Sequence, residues 1–294
     1  FSHGRIHDPR LRELFSGPMA IVHQSPPAAT GRIAVSVSDS DLVFNETFYG
    51  YSPGEIDDPH DFVRYVALVL GSKFATWFAL VTSGKFGFER DVVEKAALDR
   101  IPFPDFFQLK TGQRNQIGSL YQSLLESEKN WTFVDGWVAE LYGLGERDVQ
   151  VISDTLEFNL PFADHRRRAE AVPTDEDQMR FCDVLQRELL PWAARAGCEL
   201  NVERLDQPTI SPWYALRLYT SKNTRAMEGP YHWQGVVGAA DQTAASEIVL
   251  LDEPHGLVVG RLAQRRYWSE TQARLLAQRI IWSHSNFLRG SKTE

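Results

Sequence analysis

A glycine-rich turn at residues 83–90 (SGKFGFER) contains the side chains best suited to contact a nucleic acid. Lys85 can bind a phosphate, and Arg90 can bind either a phosphate or the edge of a guanine. Phe86 is open to two interpretations, because it either contacts DNA or fills the core beneath a tight turn between two helices. We therefore treat Lys85, Phe86 and Arg90 as DNA-binding candidates.

A second group of candidates lies on and around the predicted N-terminal strands. Asn45 can pair with adenine through two hydrogen bonds, and Tyr49 follows it in the aromatic segment 41–51. Alternatively, Asn45 bonds the backbone of a neighbouring turn and Tyr49 packs in the core, which is the commoner use of such residues. Three further residues flank the first predicted loop and could face a DNA groove, although ordinary surface positions explain them as well: His23, Gln24 and Arg32.

Two basic clusters complete the set of candidate DNA-binding residues. The densest is Arg166, Arg167 and Arg168, which can grip phosphates or can form a solvated face of a linker. Arg265 and Arg266 precede Tyr-Trp, and this combination can hold a backbone and stack on a splayed base. A cluster at the start of a helix, packed on a sheet, is the alternative for that second group.

The chain lacks the sequence motifs of several enzyme classes. An adenine-N6 methyltransferase needs an Asn/Asp-Pro-Pro-Tyr-type loop for the base and a Gly-rich loop for S-adenosylmethionine, and the sequence contains neither. The nearest approach, residues 159–162 (NLPF), has a single proline. No Gly-x-x-x-x-Gly-Lys-Ser/Thr phosphate loop and no Gly-x-Ser-x-Gly elbow occurs. We predict no catalytic residue and no metal ligand in this chain.

Composition limits the classes of protein further. The 294 residues include 43% hydrophobic residues, enough for real cores, and the net charge is −8. That charge counts against a free-standing nucleic-acid binder, but only weakly against a module whose basic residues cluster on one face. The two cysteines fit a reducing compartment, and no apolar run reaches membrane-spanning length. A cytoplasmic location without membrane contact is expected.

Hydrophobic periodicity and turn residues predict a mixture of helices and strands. The N-terminal part is predicted to form strands at 19–24, 32–37 and 41–51, one long buried helix from Asp58 or Pro59 to Gly84, a second helix at 89–99, and helices through 108–158. A polar joint at 164–174 is the predicted domain boundary. Beyond it we expect helix 175–196, strands 199–205, 213–220, 247–251 and 256–262, and a closing helix at 269–287, with an antiparallel sheet.

The order of these segments resembles the target-recognition domain of DNA adenine-N6 methyltransferases, both type I specificity subunits and fused type IIG enzymes. An aromatic strand, a long apolar helix, the turn TSGKFG (82–87) and the stop at Pro102 and Pro104 carry the resemblance. The phrase containing LYGL (141–144) is similar to the segment that follows that domain in the fused enzymes. The resemblance implies binding of double-stranded DNA and a methyltransferase domain or subunit, in cis or in trans, that holds S-adenosylmethionine.

From this resemblance we expect an α+β protein with a target-recognition-type mixed domain at 1–107, a helical connector at 108–165 and a second, smaller α+β domain at 173–294. The expected function is DNA sequence recognition for an adenine-N6 methyltransferase or a restriction-modification-like phage-defence system, without catalysis by this chain itself. The alternative is a protein-interaction or assembly module that does not read DNA directly.

Overall fold

The computed structural model describes residues 12–87, 91–205, 211–220, 231–252 and 256–289. The chain divides into two compact units, Phe1–Arg166 and Arg167–Glu294, and each is described separately below. The structure is 54% helical and 16% strand, with two small antiparallel sheets. The prediction of a mixed protein of helices and antiparallel strands is therefore confirmed at this level.

The sheet of the first unit has three short antiparallel strands in the order β2-β1-β3. They are β1 (Met19–His23), β2 (Val35–Ser38) and β3 (Phe48–Tyr51). The predicted third strand, 41–51, is longer than the observed one. The reason is Phe44, whose ring lies where a Cβ on Gly50 would stand, only 2.5 Å from that position. The segment before β3 therefore folds back over the strand instead of extending it.

The long buried helix predicted from residue 58 to residue 84 is two helices, α1 (Pro59–Leu70) and α2 (Lys73–Thr82), bent by 61°. Ser72 begins α2 because its hydroxyl accepts a hydrogen bond from the Ala75 N–H at 3.2 Å. Among the described residues no single helix is long and apolar enough to cross a membrane, and only this bent pair, taken together, has the required length and hydropathy.

The first unit also contains α3 (Lys95–Leu98), α4 (Thr111–Glu126), α5 (Trp131–Tyr142) and α6 (Glu146–Asn159), and α7 (Ala163–Glu170) begins in it. Of the helix predicted at 89–99, residues 91–94 are not helical and only Lys95–Leu98 forms a helix, while residues 89 and 90 lie outside the described part of the chain. Apolar side chains of α4, α5 and α6, among them Ile117, Trp137 and Leu156, join the same core as β1 and α1. The predicted connector thus packs into the first unit. The polar joint at 164–174 is largely the helix α7, and the two units divide within it, after Arg166.

The second unit is built on a four-stranded antiparallel sheet in the order β4-β5-β7-β6. Its strands are β4 (Leu200–Arg204), β5 (Trp213–Thr220), β6 (Glu247–Asp252) and β7 (Gly256–Leu262). Its helices are α8 (Asp175–Arg195), α9 (Tyr231–Thr243), α10 (Glu270–Ser283) and α11 (Ser285–Arg289). The sequence did not predict α9, whose residues are rich in Gly and Ala and show a weak apolar periodicity.

Both faces of this sheet are covered. On one face, apolar side chains of α8 and α10 pack against alternate residues of β5 and β7, such as Leu216 and Val259. On the other face, Val236 and Ala240 of α9 pack against Ala215 and Val258. Because residues alternate between faces along a strand, β5 and β7 are buried on both sides.

A charged residue interrupts the first of these faces. Arg261 on β7 is 1% exposed, lies over the Phe181 ring at 4.9 Å and pairs with Glu247 at 3.1 Å. Burial lowers the pKa of the Arg261 guanidinium to about 10, against the opposing effect of Glu247. Glu247 also forms an ion pair with Arg279 at 2.6 Å, so one carboxylate pairs with two arginines. The unit therefore depends on ion pairing inside its core as well as on apolar packing.

Candidate nucleic-acid interface

Three loops meet at one end of the three-stranded sheet in the first unit. Gln24, just after β1, donates its backbone N–H to the Thr47 carbonyl at 3.0 Å. The Gln24 carbonyl accepts the Val93 N–H at 2.8 Å. The next residue, Glu94, pairs with Lys85 at 3.1 Å. The loop after β1, the loop before β3 and the turn after α2 are thereby brought together.

Two side chains of this loop cluster are held in place while part of each remains available. The His23 ring packs edge-on against Phe48 with centroids 4.9 Å apart, and its Nδ1 lies 2.7 Å from the Ser25 carbonyl. Asn45 accepts the backbone N–H of Thr47 at 3.0 Å and its hydroxyl at 2.6 Å. Both bonds use the Asn45 oxygen, and within the described chain its NH2 group donates no hydrogen bond. That group is a donor that a base edge can accept.

Lys85 is the third candidate of the cluster, and like Asn45 it is exposed, whereas His23 is half-buried. Its side chain is 51% exposed and its partner Glu94 is 38% exposed. Exposed pairs of this kind contribute about 0–1 kcal/mol, so a phosphate can replace the Glu94 carboxylate at little cost. Arg90, the other cation of the predicted turn, lies outside the described residues.

Other candidates from the sequence serve mainly to build the fold. Phe86 is 2% exposed and belongs to the core of the unit, so in this arrangement its side chain fills the turn and does not reach a ligand. Tyr49 is half-buried and packs against the same core. Gln24 uses its side-chain amide to donate to the Glu46 carbonyl, which clamps two loops together. For Phe86 and Tyr49 the structure thus favours packing, the alternative given above, over contact with DNA.

Arg32 is held within the first unit. Its guanidinium forms a two-pronged pair with Asp135 at 3.0 and 2.5 Å and donates to the Gly71 carbonyl at 3.2 Å. It also lies over the Trp131 ring at 5.1 Å. Sequence reasoning missed both Asp135 and Trp131. The one available signal was their spacing of four residues, which places them on the same face of α5.

A groove of about 950 Å³ opens beside the loop cluster. His23, Asn45 and Phe48 line it together with Arg32 and Trp131, so the groove joins His23 and Asn45, but not Lys85, to the fixed arginine. Its wall also contains the segment that folds back before β3, where Val43 is 82% exposed. The result is a concave surface with both polar donors and apolar contacts.

A second cavity of the first unit, about 440 Å³, is lined mainly by aromatic and aliphatic side chains, including Tyr51, Tyr65 and Phe103. Burial raises the pKa of the Tyr65 phenol, and Asp105 adds to the effect. Burial also raises the pKa of Tyr51, followed by the charge of Asp99, to which Tyr51 donates at 3.1 Å. Both phenols therefore act only as neutral donors near neutral pH.

The other arginines predicted to bind DNA lie on α7 and just before α10. Arg166, Arg167 and Arg168 are exposed on α7, and consecutive helix positions point in different directions, so they do not form one stripe. In the second unit, Arg265 pairs with Asp177 at 3.1 Å. Arg266 donates to the Gln264 side chain at 2.9 and 2.6 Å and lies over Tyr267. The contacts of Arg265 and Arg266 favour structural roles before α10, whereas Arg166, Arg167 and Arg168 are simply exposed on α7.

Comparison with protein-family models, with curated proteins and with solved structures finds no match to this chain. Within the described residues, no group of three or more His, Cys, Asp or Glu side chains is arranged to hold a metal ion. Cys182 and Cys198 are buried free thiols.

Proposed function

We propose that this chain is a DNA sequence-recognition module of an adenine-N6 methyltransferase or of a restriction-modification-like phage-defence system, and that it does not catalyse methylation by itself. The observation that carries the proposal is the convergence of three loops at one end of a small sheet, where His23 ends β1 and Asn45 and Lys85 lie in two of the loops. Loops on a rigid scaffold are the usual place for recognition residues. The resemblance of the sequence to target-recognition domains supports the same assignment.

Each of the three side chains makes a different contact with the DNA. Lys85 binds a phosphate after leaving Glu94, and this contact sets the position of the protein on the duplex. The free NH2 group of Asn45 donates to an acceptor on a base edge, which contributes sequence discrimination. His23 is fixed by Ser25 and Phe48 and adds a second polar contact from the same edge of the groove.

Binding of the full chain to a randomised duplex DNA library, followed by sequencing of the bound fraction, tests the proposal. We expect one sequence to be enriched. Lys85→Ala should weaken binding to all sequences and reduce the dependence on salt by about one ion. Asn45→Ala should relax the preference at one position, at a cost of about 1–3 kcal/mol for the preferred site. Lys110→Ala, at an exposed position just before α4, is the matched control and should change neither.

Two results would contradict the proposal. One is the absence of sequence enrichment, both for the chain alone and for the chain with its methyltransferase. The other is enrichment that is unchanged by both Asn45→Ala and Lys85→Ala, because the loop cluster would then play no part in recognition.

A protein-interaction module is the second candidate function. One specific observation favours it, namely an exposed surface on the second unit that carries Trp192 and Trp282. The loop cluster belongs to the first unit, so the two candidate functions rest on different residues.

A further inference from the structure

Helix α10 of the second unit has apolar side chains on two faces. Its inner face carries Ala273, Leu276, Ala277 and Ile280, all essentially buried. Its outer face carries Leu275, which is 44% exposed, and Trp282, which is 85% exposed. A surface helix ordinarily has one apolar face, with polar residues opposite. Packing within the second unit therefore does not account for the apolar residues on the outer face of α10.

Trp282 stands between two cavities. The larger, about 590 Å³, lies where the C-terminal ends of α8 and α10 meet α11, and it is lined by Trp192, Ala196, Ile281 and Leu288. The smaller, about 380 Å³, runs along α10 past Leu275. The Trp282 side chain thus protrudes from the surface and lines both cavities.

The charged and aromatic residues of this surface are those of an interface centre. The described side chains that line the two cavities include no Lys, Asp or Glu. Their only charged members are Arg195, which lies over the Trp192 ring at 5.6 Å, and Arg279, which pairs with Glu247 at 2.6 Å. Enrichment in Trp and Arg together with depletion of Lys, Asp and Glu distinguishes interface centres from the rest of a protein surface.

We infer that this surface forms a two-fold symmetric interface with a second copy of the chain, in which Trp282 of each protomer enters the larger cavity of its partner. A raised side chain and a cavity that can receive a ring system lie side by side on one surface. A two-fold axis brings the raised residue of one protomer over the cavity of the other, and the reverse, in a single closed contact. Arg195, already stacked on one indole, then meets a second.

The apolar area on this surface is sufficient for a weak dimer. A fully buried aromatic side chain hides about 150–250 Å². From the exposed fractions of Trp282, Trp192 and Leu275, burial of this surface removes about 350 Å² of apolar area per protomer. About 700 Å² for two protomers equals the apolar share of an interface of roughly 1,200 Å², the lower limit for stable association. We therefore expect a dissociation constant in the micromolar range.

Sedimentation equilibrium of the full chain from about 1 to 200 µM tests the inference. The wild-type protein should dimerise within that range. Trp282→Ala removes a central aromatic anchor from each side and should weaken the dimer at least about 30-fold. Because Trp282 is 85% exposed, the variant should keep its circular dichroism spectrum and melting temperature. Val237→Ala, at a 41% exposed apolar position on α9, is the matched control and should dimerise normally.

A complementation experiment tests the proposed geometry. Ala196→Trp fills the larger cavity and leaves Trp282 intact, whereas Trp282→Ala leaves the cavity open. Each variant alone lacks both contacts and should be monomeric. A mixture of the two restores one of the two insertions, so a heterodimer weaker than the wild-type dimer should form. If Ala196→Trp does not fold, Ser285→Trp at the same cavity provides the second blocking variant.

A wild-type chain that stays monomeric at 200 µM would overturn the inference, and so would a dimer that Trp282→Ala leaves unchanged. Failure of the mixed variants to associate, with both folded, would overturn the two-fold insertion. None of these measurements involves DNA, so their outcome is independent of the proposed recognition function.

Discussion

Replacement of Arg32 should destabilise the protein by an amount that the structure allows us to estimate. The side chains of Arg32 and Asp135 are 17% and 20% exposed, so their pair lies between a surface pair, worth about 0–1 kcal/mol, and a buried one, worth about 3–5 kcal/mol when broken. We take about 2 kcal/mol for the two-pronged contact and about 1 kcal/mol for the packing over Trp131. Arg32→Ala should therefore cost about 3 kcal/mol.

Arg32→Lys separates this structural role from a role in binding phosphate. Lysine keeps the positive charge but cannot donate in parallel to both oxygens of Asp135, so we expect a loss of about 1–2 kcal/mol. A residue whose only task was to bind phosphate would tolerate lysine. Arg64→Ala is the control, because Arg64 pairs with Asp61 at 3.1 Å on α1, where the two side chains are 32% and 41% exposed, and its loss should cost less than about 1 kcal/mol.

Differential scanning calorimetry is the appropriate measurement, because it resolves separate transitions if the two units melt independently. A loss of about 3 kcal/mol should lower the melting temperature of the first unit by about 6–12 °C. A double-mutant cycle with Asp135→Asn should give a coupling energy of about 2 kcal/mol. A shift below 2 °C for Arg32→Ala, or a coupling energy below about 0.5 kcal/mol, would refute the assignment of Arg32 to the fold.

Three further predictions follow from particular contacts. Gly71→Ala should cost about 1–3 kcal/mol in the free energy of unfolding, because the new Cβ would lie 2.1 Å from the Trp131 ring; a melting temperature equal to that of the wild type would contradict this. Burial acts to raise the pKa of Asp177, but hydrogen bonds from the Thr174 N–H and from Arg265 outweigh it and lower the pKa. The folded pKa is then below the unfolded value of about 4, so the stabilisation is present above that value and disappears as the pH falls through the folded pKa. Urea unfolding should show Asp177→Asn less stable than the wild type by about 1 kcal/mol at pH 7, and the difference should shrink as the pH falls through the folded pKa; a difference independent of pH would contradict the assignment. Burial raises the pKa of the Cys182 thiol to about 12, so at pH 8 only about one molecule in 10⁴ carries the thiolate. A disulfide reagent should label Cys182 slowly in the folded protein and at once after unfolding; labelling of the folded protein at the rate of free cysteine would show that the thiol is not buried.

Much of the local structure could be predicted from the sequence. Helix α8 and strands β5 and β7 agree with their predicted bounds to within a residue. Both strands are short apolar runs bounded by turn residues, and such a signal depends only on neighbours in the chain. The predicted closing helix starts at Ser269, and the Ser269 hydroxyl does cap α10, because it accepts the Gln272 N–H at 3.3 Å. Agreement is good where a few adjacent residues determine the structure.

Agreement was poorer where distant parts of the chain meet. The periodicity of residues 58–84 is compatible with one helix, and the bend at Gly71 shows only in the tertiary structure, where the Trp131 ring occupies the space beside that glycine. Strand 41–51 was predicted too long because nothing local reveals that Phe44 packs on Gly50. In both cases a side chain packed against a glycine determines where the element ends, from α5 in the first case and from six residues earlier in the chain in the second.

The candidate site shows the same division. Residue types alone identified His23, Asn45 and Lys85 as side chains able to contact DNA. Only the tertiary structure separated them from Phe86, which is buried, and from Arg32, whose partner Asp135 is 103 positions away in the sequence. A side chain's chemistry is a property of its residue type, whereas its availability depends on burial and on partners that the folded chain brings within hydrogen-bonding distance. The sequence by itself therefore determined which residues are chemically suited to recognition, and the fold determined which of them are available for it.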